Sequence, residues 1–173
     1  LNEVGQVLNE SLGLQELLDR TLETVCGKLG YDASTVRLLD RNSGELVVTA
    51  HRGYSATFLA EEECIKTQGS PTLQAVLAGQ PRVQNTIDPN TPWGQVATTE
   101  GLQSSALVTL RSKNEVVGAL GFACRVHHDF SPDEVELLLA IAEQVGVAVE
   151  SARLYQAAEA AHQQAEVEAR HAE

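Results

Sequence analysis

Three side chains able to bind a metal ion stand close together near the C-terminal third of the chain: Cys124, His127 and His128. Thiolate and imidazole are common ligands for zinc and related ions. A structural zinc site needs a full tetrahedral set, and no second Cys/His cluster occurs elsewhere. The group is therefore read as a strand-end thiol followed by two histidines in an exposed turn, with no metal assigned. The paired carboxylates Asp133 and Glu134 could serve as acid and base. They follow Ser131-Pro132, however, where acids favour the positive end of a helix dipole. Gly118-Ala119-Leu120-Gly121 lies inside a strand pattern, not at the strand-to-helix turn that a phosphate loop requires. Close packing of helices against the sheet accounts for these glycines. No serine stands in a nucleophile elbow with a nearby His/Asp pair. No catalytic residue is assigned.

The chain has 173 residues, enough for one domain with a real core, and its hydrophobic content of 43% and charged content of 21% are ordinary for a globular protein. A net charge of −12 argues against nucleic acid, whose phosphates call for clustered Lys and Arg. No apolar run approaches the length of a membrane span, so no membrane contact is expected. The apolar positions of the N-terminal residues are periodic, unlike a signal peptide. The sequence begins on Leu1 within a helical pattern and contains no methionine, which reads as a fragment of a longer polypeptide. The three cysteines, Cys26, Cys64 and Cys124, are odd in number and far apart, which suits free thiols in a reducing cytoplasm.

The elements that would position these residues follow from periodicity. Leu1, Val4, Leu8 and Leu12 repeat at helical spacing, Gly13 marks an interruption, and a second helix carries Leu14, Leu17, Leu18, Leu22, Val25 and Leu29 up to Gly30. Residues 33–39 and 46–51 read as a hairpin around the turn formers of 40–44. Short helices are predicted over 58–65, 72–78 and 93–100, with a brief strand at 82–85. Two strands, 104–111 and 116–124, are joined by a turn at 112–114. A helix then starts at Ser131 and meets no stop signal. Antiparallel hairpins flanked by helices imply an α+β fold, an antiparallel sheet of five or six strands with helices gathered on one face.

The LLD-turn-GEL hairpin, the VLAGQP turn, the VVGALGF strand and the FSPDE helix start occur in this order, and together they resemble a GAF domain, a small-molecule sensor module of bacterial signalling proteins. The resemblance covers residues 14–155. It implies a ligand pocket between the sheet and the irregular insert. Candidates to line it are Tyr54, Phe58, Trp93 and Phe122, with Thr98, Thr99 and Ser105 as polar anchors, since such sites are mostly apolar with a few placed polar groups. Trp93, between Pro92 and Gly94, is the leading aromatic. A haem-binding relative would need a histidine at the pocket, and His51 is the one near its mouth. A bilin-binding relative would need a pocket cysteine, often followed by His; Cys64 is followed by Ile65. The cyclic-nucleotide signature is not matched: Phe130 is one residue too close to Asp133-Glu134, and Lys113-Asn114 is reversed. No cofactor is specified by the residues.

From Ser131 the helix could run roughly 60 Å. To Tyr155 it is apolar on a wide face that includes Leu138, Ile141, Val145, Ala148, Val149 and Ala152. Beyond it, Ala158, Ala161, Ala165, Ala169 and Ala172 form a thin coiled-coil seam. The expected organisation is a dimer and signalling helix over 1–13, a GAF-like sensor over 14–155, and a linker over 156–173 leading to an output domain such as a histidine kinase. The expected assembly is a cytoplasmic homodimer through the terminal helices, including Val4, Leu8, Leu12 and the Val145–Ala152 region, that relays the state of an unidentified small-molecule ligand. Two other readings are a ligand-free dimerisation module and, through the cysteines, a methionine sulfoxide reductase or haem/redox sensor.

Overall fold

The computed structural model describes residues 3–63 and 67–172; the side chains of 3–12 and of 62 and 63 also lie outside the description. Cys64 and Leu1 thus fall outside the described residues, as do the side chains of Val4, Leu8 and Leu12. The element order is α1 (Glu3–Leu29), β1 (Ala33–Leu39), β2 (Leu46–Arg52), α2 (Ala56–Glu63), a single 3-10 turn (Thr67–Gly69), α3 (Pro71–Leu77), β3 (Arg82–Gln84), α4 (Pro92–Thr99), β4 (Ser104–Ser112), β5 (Glu115–Cys124) and α5 (Pro132–Ala172). The strands form one antiparallel sheet in the order β2-β1-β5-β4-β3.

Each local boundary has a chemical cause. α1 ends at Gly30, whose φ of 77° suits a residue without Cβ and whose N–H donates to the Cys26 carbonyl at 2.9 Å. The β1–β2 turn uses Gly44 at φ 74°, while the Asp40 carboxylate accepts from the Asn42 N–H at 2.9 Å. The β4–β5 turn places Lys113 at φ 52° and Asn114 at φ 70°, the mirror-image turn that matches strand twist in tight hairpins. Ser55, Ser70, Thr91 and Ser131 each accept a backbone N–H at a helix start, from Phe58, Leu73, Gly94 and Glu134 respectively.

Strand alternation divides the side chains between two faces. Val36, Leu120, Phe122, Ala106, Val108 and Leu110 share one core with Leu18, Leu22 and Val25 of α1 and Leu138, Ala142, Val145 and Val149 of α5. Ala33, Ala119, Ala123 and Leu107 point the other way, toward residues of α2, α3 and α4. The sheet is thus the middle layer, long helices behind it and the insert in front.

Two sequence expectations require correction. Gly13 does not interrupt the first helix, because α1 is continuous through it. A Cβ built at this glycine meets nothing within 4 Å, so it sits on an open helix surface where its cost is only about 1 kcal/mol of propensity. Val145, Val149 and Ala152 are not surplus surface awaiting a partner. They are 5%, 0% and 8% exposed, and the two valines belong to the domain's own core. The exposed apolar residues on α5 are Leu137, Leu139, Val147, Leu154 and Val167, with Leu17 on α1. α5 lies directly on the sheet at Gly146, where a Cβ would lie 2.2 Å from the Arg111 carbonyl oxygen of β4.

Candidate functional site

On the insert side of the sheet the side chains thin out and leave a cavity. Gly121 of β5 occupies the floor, where a Cβ would come within 3.0 Å of Leu107 Cδ1 and 3.1 Å of Thr35 Oγ1. Thr35 and Arg37 of β1 and Ser105 and Leu107 of β4 complete the floor. Tyr54, Ser70, Thr72, Leu73 and Trp93 build the walls, and Arg82 and Gln84 reach in from β3. The cavity measures about 50 Å³ and opens to solvent at its mouth, which is smaller than the usual small-molecule site.

Arg37, which is 5% exposed, brings a buried guanidinium to its lining. Burial lowers its pKa below the ordinary value, yet a guanidinium remains protonated throughout the physiological range. Burial also pushes the Tyr54 phenol well up, opposed by the positive charge of Arg37, so Tyr54 is a neutral hydroxyl able to donate. Its ring stacks on Phe58, with centroids 4.3 Å apart and planes 6° from parallel.

The structure brings Tyr54, Trp93 and Ser105 together at this cavity. Phe58 lies behind Tyr54 and fixes its ring. Phe122 borders the same space but sends its ring to the helix side, 4.9 Å from Tyr31. Thr98 and Thr99 are exposed on α4, their hydroxyls donating to carbonyls of their own helix at Gly94 and Gln95. His51 is exposed on β2 and does not line the cavity. Sequence reasoning missed Arg37. An arginine within an otherwise strand-forming run, RLL after STV, was the available signal.

The Cys/His group does not converge. His127 pairs with Asp129 at 2.8 Å, while His128 meets the Glu134 carboxylate at 2.8 Å. Glu134 also accepts from the Tyr31 hydroxyl at 2.5 Å, which fastens the start of α5 to the segment before β1. Among the described residues no group of three or more His, Cys, Asp or Glu could hold a metal ion. Cys26 and Cys124 are buried, and burial is the main cause that pushes both thiols up, Cys124 to about 11. Thiols so placed are poor nucleophiles at neutral pH.

The opposite face carries a second concavity, a groove between α1 and α5 lined by Leu17, Val25, Leu29, Leu137 and Ile141 with Arg20 and Lys28 beside them. Beyond Ala152 the last turns of α5 are largely exposed on all sides. Among the described residues no helix is long and apolar enough to cross a membrane.

A central antiparallel sheet, long helices behind it and a small cavity under an irregular insert define an α+β module of the sensory kind. The GAF domain family matches residues 11–150, and the chain belongs to that family. GAF domains are generally non-catalytic sensory modules. Among solved structures, the chain is similar to a domain described as part of a two-component sensor histidine kinase from Sinorhizobium meliloti, at 22% identity and TM-score 0.69 over 86% of this chain and 96% of that one. It is similar to the GAF domain region of a membrane protein from Geobacter sulfurreducens, at 23% identity and TM-score 0.73 over 84% and 98%. It is also similar to a type II free methionine-R-sulfoxide reductase from Thermoplasma acidophilum, at 18% identity and TM-score 0.68 over 82% and 96%. None of the curated proteins matches.

Proposed function

We propose that this chain is the ligand-sensing domain of a cytoplasmic signalling protein, a homodimer that passes the state of its cavity along α5 to an output domain. Tyr54, Trp93 and Ser105, with Thr35 and Arg37, hold the ligand. Phe58 supports Tyr54, and Phe122 contributes from the floor strand; Thr98 stands at the outer surface of α4. Residues 14–155 act as the sensor and 156–173 as the linker. A histidine kinase is the output domain proposed, the setting in which the Sinorhizobium domain is described.

One observation carries this reading: the cavity and the long helices lie on opposite faces of the same strands. Thr35 and Arg37 flank Val36, which packs on the helix side, and Ser105 precedes Ala106, which does the same. The insert is also fastened to β4. The Thr109 hydroxyl donates to the Val76 carbonyl of α3 at 2.7 Å, and the Arg111 guanidinium lies where a side chain on Gly79 would be. The Arg111 backbone in turn touches α5 at Gly146. A ligand that favours one position of α3 therefore favours one seating of α5, which is a population shift between packings. The second copy is proposed to cover Leu17 and Leu137, 42% and 46% exposed, in the α1/α5 groove.

Native mass spectrometry of the purified chain tests both halves. The expected result is a dimer carrying a small non-covalent adduct, with the adduct lost in Gly121→Val. A dimer without adduct under any growth condition would favour a ligand-free dimerisation module. A monomer at high concentration would overturn the assembly.

A further inference from the structure

The two basic residues of α1, Arg20 and Lys28, both border the groove between α1 and α5, beside Leu17 and Leu137. The acids of the same stretch, Glu16, Asp19 and Glu23, do not line it. On α5 the complementary charges stand outside the groove. Glu136, Ala140, Glu143 and Val147 recur three and four residues apart, all exposed, on the edge turned away from the buried stripe of Leu138, Ala142, Val145 and Val149. Other acids of α5 are engaged within the chain: Glu134 by Tyr31 and His128, and Glu150 by Arg41. Among the described residues, none of Arg20, Lys28, Glu136 and Glu143 forms a side-chain hydrogen bond or ion pair. A basic helix edge and an acidic helix edge are thus both left open on one face of the domain.

Resting on the dimer in the reading above, we propose that a second copy of this chain closes the face with α5 beside α1, Lys28 pairing with the partner's Glu136 and Arg20 with the partner's Glu143. The spacing supports it. The Tyr31 hydroxyl donates to Glu134, so the end of α1 stands at the start of α5, the helices run antiparallel, and Lys28 is level with Glu136. Arg20 lies about 12 Å further along α1 and Glu143 about 10.5 Å further along α5, at 1.5 Å per residue. Leu17 and Val147 follow at about 16.5 Å on each helix. A twofold axis parallel to the helices keeps every level, so both ion pairs form, Leu17 meets the partner's Val147, and symmetry repeats each contact. Leu17 and Val147 are 42% and 51% exposed in the single domain, so both have surface to bury. The reverse orientation brings Lys28 level with the partner's Glu143 and leaves Leu17 without an apolar neighbour. The parallel one also sends both copies of α5 out of the domain on the same side, as a shared output requires.

Charge exchange between two chains tests the pairing. One variant carries Arg20→Glu with Lys28→Glu, the other Glu136→Lys with Glu143→Lys, and dimer dissociation of the full chain is measured by sedimentation at low salt. Each variant alone should dissociate about tenfold or more readily, because attraction becomes repulsion in pairs that symmetry repeats. An equimolar mixture should restore the unmutated affinity to within about twofold, since every pair is again opposite in charge across the heterodimer. The acid-to-basic variant reduces the chain's net negative charge of −12, so general repulsion alone would tighten its dimer. A tighter dimer there would therefore overturn the pairing, as would a mixture no stronger than its components. Single exchanges fix the orientation: Lys28→Glu should be rescued by a chain carrying Glu136→Lys and not by one carrying Glu143→Lys. The opposite result would overturn the parallel arrangement. All four positions are exposed, so helical circular dichroism should be unchanged. Arg20→Gln with Lys28→Gln, which adds no repulsion, should weaken the dimer about two- to fivefold and reduce its salt dependence. A stable dimer indifferent to every charge change would remove the pairing and leave the dimer standing. An unmutated chain that stays monomeric at high concentration would remove both.

Discussion

Replacing Gly146 by alanine tests whether α5 rests on β4 with no room to spare. A Cβ at this position would stand 2.2 Å from the Arg111 oxygen, 2.8 Å from its carbonyl carbon and 2.9 Å from its nitrogen. All three are backbone atoms of a central strand, so no rotamer change relieves the contact. An ordinary carbon–oxygen separation requires α5 to lift by about 1 Å, and a gap of that size forfeits roughly a quarter to a half of each dispersion contact beside it. Leu138, Ala142, Val145 and Val149, all buried along the same face, lose packing together. Overpacking of this kind costs about 1–3 kcal/mol. Alanine returns about 1 kcal/mol through helix propensity, so the net loss expected is about 0–2 kcal/mol. Gly27 in α1 is the control, because a Cβ there meets nothing within 4 Å. Gly27→Ala should stabilise by up to about 1 kcal/mol. Urea unfolding at one fixed protein concentration reads both, since an oligomer's midpoint moves with concentration. Midpoints that rise in both variants would refute the close seating of α5.

Leu17→Glu with Leu137→Glu should convert a dimer to a monomer by light scattering, with little change in helical circular dichroism, because both positions are exposed in the single domain. Val145→Glu should instead unfold the chain, burying a charge in the core at a cost of about 3 kcal/mol or more. Tyr31→Phe removes the hydroxyl that donates to Glu134 and should lower stability by about 1–3 kcal/mol in a thermal melt. Stability should fall between about pH 9 and 11: the folded Cys124 thiol, raised from 9.0 to about 11, keeps its proton while the unfolded thiol loses it. That contribution is complete below pH 9.0 and lost as the pH rises through the folded value, so Cys124→Ala should flatten a decline on the order of 1–3 kcal/mol.

Much of the fold was legible because its signals are local. The hairpin turns, the Ser131 cap and the apolar spacing of α1 and α5 lie within a few residues of the elements they fix, and the strands fell within a residue or so of expectation. The assignment of surfaces was less legible. Val145 and Val149 belong to a wide apolar stripe, and periodicity cannot tell how much of such a stripe its own sheet will cover. Coverage depends on how closely α5 approaches β4, which Gly146 decides from within the helix. Gly13 was overweighted for the converse reason: a glycine breaks a helix only when its other interactions favour a break.

The cavity shows the same division more sharply. Tyr54, Trp93 and Ser105 were found because aromatic residues in an irregular segment, and a hydroxyl on a central strand, are unusual enough to notice. Arg37 was not, although it lines the cavity. In sequence it is one charge in a strand; its meaning comes from the register, which turns it toward the insert while Val36 and Leu38 turn toward the helices. The same two-residue period explains how a sensor of this architecture can work at all. A strand has no slack between adjacent side chains, so a ligand that draws on Thr35, Arg37 or Ser105 acts on the backbone that also carries Val36 and Ala106 against the long helices. In the function proposed, recognition and relay fall to alternate residues of the same strands. Substitutions at Arg37 should therefore alter ligand preference, and substitutions at Gly146 should alter how firmly α5 follows the sheet.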